Sequence, residues 1–255
     1  MTIFDEALVR PIINVLVAIY QLFFFLNVPY ALGFAIIGLT IVIRLLLYPL
    51  IAVQLKASKK MQALSPELAR VKNLHKQDAK RLQEETMRLY REHNINPASG
   101  CLPVIVQLPI IWALYYVSQK IVNLKPEVVV SEVNKLSYNV PFLKLDTSWD
   151  QYFFGLPLGQ NPSQLLLAMP IVLVVPIITG LLQFIQSKML VAPSPKGEKR
   201  GDDFASAFQA QSLYIFPIMI GIFSYTFPIG LSLYWNTFTV FGILQQYLVF
   251  KRRVK

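Results

Sequence analysis

Residues 31–55 read ALGFAIIGLTIVIRLLLYPLIAVQL, twenty-five residues from Ala31 to Leu55 with a single charged side chain, Arg44. At 1.5 Å per residue the stretch makes about 37 Å of helix, enough to cross a hydrocarbon core of about 30 Å. Arg44 lies thirteen residues from one end and eleven from the other. A guanidinium at that depth costs roughly 2.5–3.5 kcal/mol on insertion scales. A snorkelling arginine belongs near a membrane end, and Arg44 is too central for that. Thr40, Arg44 and Tyr48 are spaced four apart and would share one helix face, a polar stripe on an apolar rod. An intramembrane ionisable residue marks a functional site that faces a wet cavity.

The rest of the composition agrees with a membrane protein. The chain has 255 residues, 55% of them apolar, a mean hydropathy of +0.48 and a net charge of +10. Its basic residues flank apolar stretches, which argues against sequence-specific nucleic-acid binding. One cysteine, Cys101, excludes an intrachain disulfide. His75, His93 and Cys101 lack metal-ligand spacing, and neither a metal nor another cofactor is expected.

The fold expected is an all-α polytopic membrane protein, with five transmembrane helices around a polar groove, an N-terminal interfacial helix and a cytoplasmic helical hairpin. Residues 1–30 hold an amphipathic segment with Asn14, Ala18 and Gln21 on one face. An additional span over residues 3–26 is the rival reading. The spans are placed at 31–55, 102–122, 163–190, 213–227 and 229–250, with Pro170 and Pro176 inside the third. Residues 56–100 carry ten Lys/Arg against five Asp/Glu and form the hairpin. Ser65-Pro66-Glu67 looks like a helix start, and a second helix runs from about Gln77 to His93. Residues 123–161 form an extracytoplasmic loop with three lysines and four carboxylates. A cytoplasmic loop covers 191–211, and 251–255 is a basic tail. The positive-inside rule puts the N-terminus outside and the C-terminus in the cytoplasm.

None of the five expected spans contains Asp or Glu. Arg44 therefore has no carboxylate partner among them, and its charge must be met by water, hydroxyls, amides or an arriving molecule. Thr40 beside Arg44, and Gln107, Thr179, Gln183, Asn236 and Thr239 on the other spans, place polar groups near mid-membrane. Interhelical hydrogen bonding is the plainer role for any one of them. Their convergence with Arg44 favours a hydrated groove. Ion-coupled transport wants membrane carboxylates, a voltage sensor wants a ladder of arginines, and no catalytic constellation is present. What remains is a surface that eases polar peptide part-way across a bilayer. A small-solute (anion) transporter or channel using Arg44, and a structural assembly factor, are the competing classes.

Four stretches, LTIVIRLLLYPL, INPASGCLPVIVQLPIIWALYY, ITGLLQFIQSKM and FPIGLSLYWNTFTVFGILQQYLV, resemble the membrane protein insertase family of bacterial YidC and its organellar relatives. The resemblance covers about residues 10–250. It implies a non-enzymatic insertase of the plasma (cytoplasmic) membrane, with a positively charged groove open to cytoplasm and lipid. It implies nascent membrane protein clients, the ribosome, the lipid bilayer and the Sec translocon as partners. By position, Arg44 would be the groove arginine and Gln107 and Trp235 would line the groove. Gln183 and Asn236 join them by stripe geometry. Ribosome contact would rest on the hairpin and the short basic tail.

Overall fold

The structure, a computed structural model, describes residues 4–75, 77–96, 102–122, 124–190 and 211–251. The expected cytoplasmic loop and basic tail fall outside them except for Gln211 and Lys251, as do residues 97–101. The chain is mostly helical. A π-helical turn, Asp5–Val9, leads into α1 (Arg10–Phe25), and α2 (Ala31–Leu46) follows. Next come α3 (Tyr48–Leu74), α4 (Ala79–Glu92) and α5 (Leu102–Val117), the last extended by a π-helical turn, Ser118–Val122. The segment that follows holds α6 (Pro126–Leu136) and a small antiparallel hairpin, β1 (Tyr152–Phe153) with β2 (Leu156–Pro157). Beyond α7 (Pro162–Leu165), the last three helices are α8 (Val174–Leu190), α9 (Phe216–Thr226) and α10 (Ile229–Lys251).

The expected single span 31–55 is two helices. α2 stops at Leu46, and α3 leaves at an angle of 66°. Pro49 is the second residue of α3, a position where its missing N–H costs no helical bond. Ser65-Pro66-Glu67, read as a helix start, lies inside α3, which runs unbroken from Tyr48 to Leu74. A proline there forfeits one backbone bond of a long helix without ending it. Pro170 is not inside the third helical stretch either: it opens a 3₁₀ turn, Pro170–Leu173, that feeds α8. The second hairpin helix is close to its expected place, with Asp78 as N-cap accepting from the Arg81 N–H at 2.9 Å.

By length and apolar composition alone, Asp5–Phe25 and Pro170–Leu190 can each cross a membrane. The bent pair α2 and α3 adds a third if taken as one span. Val106–Val117 and Leu213–Thr226 are apolar but shorter, and α10 is long enough at 23 residues but carries several polar side chains.

Among the described residues there are two separate apolar cores. The main one joins α1, α2, the end of α5, α6 and the first turns of α10 around Leu16, Leu32, Leu39, Val133 and Tyr234. The smaller one lies between α3 and α4 and consists of Leu64, Leu89 and Ile95, flanked by Met61, Leu68, Val71 and Tyr90. Burial there raises the Tyr90 phenol above its usual pKa. α8 and α9 pack through Gly180 and Gly221, where a Cβ built on Gly221 would lie 3.4 Å from the Pro176 carbonyl oxygen. Small residues at such a crossing allow close backbone approach. The outer faces of these two helices expose Ile177, Leu181, Ile218 and Ile222.

Candidate functional site

α10 is the spine of the site. One face of it packs on α2 and another on α8. Its polar residues point into the bundle: Ser232, Thr239, Gln245 and Gln246 are all buried. Arg44, from the last turn of α2, lies against this helix with only 3% of its surface exposed. Nη1 donates to Gln245 Oε1 at 3.1 Å, and Nη2 donates to the Phe238 carbonyl oxygen. The guanidinium also stacks on the Phe238 ring, with Cζ 3.4 Å from its centroid. Nε has no partner. No carboxylate takes part: among the described residues none of the ion pairs includes Arg44. α2, α5, α8, α9 and α10 contain no Asp or Glu.

One expectation is corrected here, while among the described residues Arg44 pairs with no acidic side chain. It is not open to solvent in this structure, because Phe238 and Gln245 cover it. Thr40 is fully buried one turn before Arg44, and its hydroxyl donates to the Ile36 carbonyl at 2.7 Å. Tyr48 does not continue the stripe, since the break at Leu47 turns α3 away and leaves Tyr48 46% exposed.

The remaining site residues form a polar seam through the bundle. Gln107 on α5 donates to the Tyr234 hydroxyl at 2.7 Å. Trp235 Nε1 donates to Gln183 Oε1 on α8 at 3.2 Å. Thr179 Oγ1 lies 3.1 Å from Ser224 Oγ, which lies 2.8 Å from Ser232 Oγ, so hydroxyls link α8, α9 and α10 in a chain. Asn236 is half-buried with its Oδ1 unpaired, and Thr239 is buried with an unpaired hydroxyl. Thus Arg44 meets α10, Thr179 and Gln183 meet α9 and α10, and Gln107 meets α10. Thr40 and Tyr48 bond to none of the others.

Sequence reasoning missed Tyr234, Phe238, Gly242, Gln245 and Ser224. Gly242 carried a readable signal, a glycine on the polar face of an otherwise apolar helix. Phe238 carried none, because its part is played by a backbone oxygen and a ring face. Among the described residues no group of three or more His, Cys, Asp or Glu side chains could hold a metal ion.

Long apolar helices, a buried guanidinium held by neutral acceptors and a seam of neutral polar groups define a helical membrane protein with a polar interior. The family model described as 60Kd inner membrane protein matches residues 23–255, and the chain belongs to that family. Its relatives carry the name membrane protein insertase YidC. The one from Pelagibacter ubique is 36% identical over 217 residues, covering 85% of this chain and 35% of that protein. The one from Fusobacterium nucleatum is 32% identical over 220 residues, covering 86% of each. Membrane protein insertase YidC 2 of Bacillus anthracis is 34% identical over 221 residues, covering 85% of this chain and 71% of that one. The chain spans only about a third of the length of the Pelagibacter and Rickettsia conorii relatives. A crystal structure of an active YidC insertase with its first transmembrane domain resolved shares the fold. The TM-score is 0.52 at 24% identity, over 94% of this chain and 46% of that one.

Proposed function

We propose that this chain is a membrane protein insertase. It receives the polar flank of a client in the interior between α2, α5, α8 and α10, entered from the cytoplasm, and releases the client's apolar segment into lipid past α8 and α10. The observation that carries the reading is the Arg44 guanidinium, held inside the bundle, among the described residues, by neutral acceptors alone. A structural arginine in a membrane interior is ordinarily paired with a carboxylate. One bonded only to an amide oxygen and a carbonyl oxygen keeps its charge available, and a low local dielectric strengthens its pull on a polar or acidic segment. Burial of the client's own apolar span in lipid supplies the drive to leave. The names of the relatives support the same reading.

The five-span arrangement, an outside N-terminus and a cytoplasmic C-terminus belong to this proposal, as do nascent clients, the ribosome and the Sec translocon as partners. The α3–α4 hairpin supplies a charged cytoplasmic surface for the ribosome, a feature that an anion transporter has no use for.

Reconstitution of the purified protein into lipid vesicles tests the reading. Insertion of a small single-span client is expected, falling roughly tenfold or more in Arg44→Ala, the effect of losing one charged hydrogen-bonding group. Arg44→Lys should retain most of it. Anion flux that follows these substitutions while insertion does not would make the chain a transporter instead.

A further inference from the structure

Three helices converge on Gly242. A Cβ built there would lie 2.5 Å from Arg44 Nη2 and 3.2 Å from its Cζ, and would also collide with the Gln186 amide of α8. Phe238, Gly242 and Gln245 are spaced i, i+4 and i+7, so they form one face of α10. The guanidinium lies in the gap that the glycine leaves. It has Phe238 on one flank and the Gln245 amide at its other end. A guanidinium has five N–H donors, and here Nη1 and Nη2 each find one acceptor on α10 while Nε has no partner. The Gln245 amide nitrogen is likewise buried without a partner.

The two acceptors are a backbone carbonyl and a side-chain amide oxygen. Those are the groups that an entering polypeptide would itself offer. We infer that α10 is a resting occupant of the client site: Phe238 O and Gln245 Oε1 hold the places on Arg44 that a client takes, and Gly242 provides the seat. Gln245 is then a positioning residue that sets how often Arg44 is available. It acts on apparent affinity as any competing closed state does, by reducing the competent fraction. A neutral amide suits this role, because a carboxylate acceptor on the client makes a charge-assisted bond roughly twice as strong and displaces it. The inference rests on the insertase reading given above.

The test compares Gln245→Leu, Gln245→Glu and Gly242→Ala with the parent protein in vesicles. Phenylglyoxal modification of Arg44, followed by peptide mass spectrometry, reports how often the guanidinium is free. Insertion of a single-span client at limiting concentration reports its use. Gln245→Leu removes the competitor and should speed Arg44 modification roughly tenfold, with insertion rising in step. Gln245→Glu supplies a permanent counter-ion and should slow both below the parent. Gly242→Ala displaces the guanidinium from its seat and should speed modification independently of residue 245. Thermal unfolding of each variant in detergent identifies any that fails to fold, and the two position-245 variants are read against each other. Equal Arg44 modification rates in the parent, Gln245→Leu and Gln245→Glu would overturn the inference. If that occurs while Arg44→Ala still abolishes insertion, the insertase reading stands without it. Loss of the Arg44→Ala effect would remove both.

Discussion

The Lys59 ammonium on α3 donates to the carbonyl oxygen of Phe250 at 3.0 Å, and to that of Val249 at 3.2 Å. These oxygens belong to the last described turn of α10. Gln62, three residues further along α3, does the same for α8, its amide donating to Met189 O at 3.0 Å and Leu190 O at 2.9 Å. One turn of α3 therefore ties α8 and α10 together near Leu190 and Phe250.

The first prediction separates this tie from the hairpin beyond it. Deletion of residues 69–92 removes α4 and the distal part of α3 but keeps Lys59 and Gln62. It also leaves the main apolar core untouched, since the hairpin packs on its own small cluster. The deletion variant should fold, with a Tm in detergent within a few degrees of the parent, yet insert clients poorly. The double variant Lys59→Met/Gln62→Leu should lose more stability despite keeping the hairpin. Its loss should be roughly 2–4 kcal/mol, from one charged and one neutral set of interhelical bonds. A deletion variant less stable than the double variant would make the hairpin part of the core.

How far the sequence could be read follows from the same residues. Arg44 stood out because a charge in a long apolar run has no camouflage. Thr179 and Gln183 were legible as a stripe, and α8 does turn that face to α9 and α10. Tyr48 was misplaced because periodicity assumes a continuous helix, and the turn at Leu47 breaks the phase. Pro66 was misread because proline tolerates both a helix start and the middle of a helix long enough to absorb it. The acceptors on Arg44 lie about two hundred residues downstream, and one is a main-chain oxygen. No spacing rule reaches that far.

The second prediction concerns the seat of the β1–β2 hairpin on α2. A Cβ built on Gly33 would collide with the Phe153 ring, which rests on α2 together with Phe34 at a centroid distance of 5.4 Å. Phe153 belongs to the β1–β2 hairpin, whose turn places Phe154 and Gly155 at φ 48° and 80°, the pairing that two-residue hairpin turns demand. From the same segment, Leu158 O accepts the Gly230 N–H at 2.7 Å and Gln160 O accepts that of Ile229 at 2.9 Å, closing the first turn of α10. Gly33→Val should thus unseat the hairpin. The expected cost is roughly 1–3 kcal/mol of overpacking, read as a lower Tm and faster proteolysis within 140–160. Faster cleavage should be relieved in part by Phe153→Ala in the same chain, which empties the contested space.

The third prediction decides whether α1 spans the membrane or lies on it. By composition Asp5–Phe25 can cross, but Arg10, Asn14 and Gln21 all bond to one stretch of the expected extracytoplasmic segment. Arg10 Nε and Asn14 Nδ2 each donate to Leu136 O at 3.3 Å, and Asn14 Oδ1 accepts the Tyr138 N–H at 2.7 Å. Eleven residues on from Arg10, Gln21 donates to Lys144 O at 2.7 Å, and Tyr20 meets Trp149 edge-on at 5.6 Å. Arg10 to Gln21 covers about 16 Å of helix, all of it against residues 136–149. A spanning helix would carry one end about 30 Å away from that layer. With Cys101 replaced by serine, Ala7→Cys and Leu26→Cys should each react with a membrane-impermeant maleimide added to the outer side of intact cells. Labelling of position 7 only after permeabilisation would place the N-terminus inside and make α1 a span. It would also reverse the charge-based orientation for that segment alone, because the bonds from Asn14 and Gln21 would then have to break in the membrane-embedded protein.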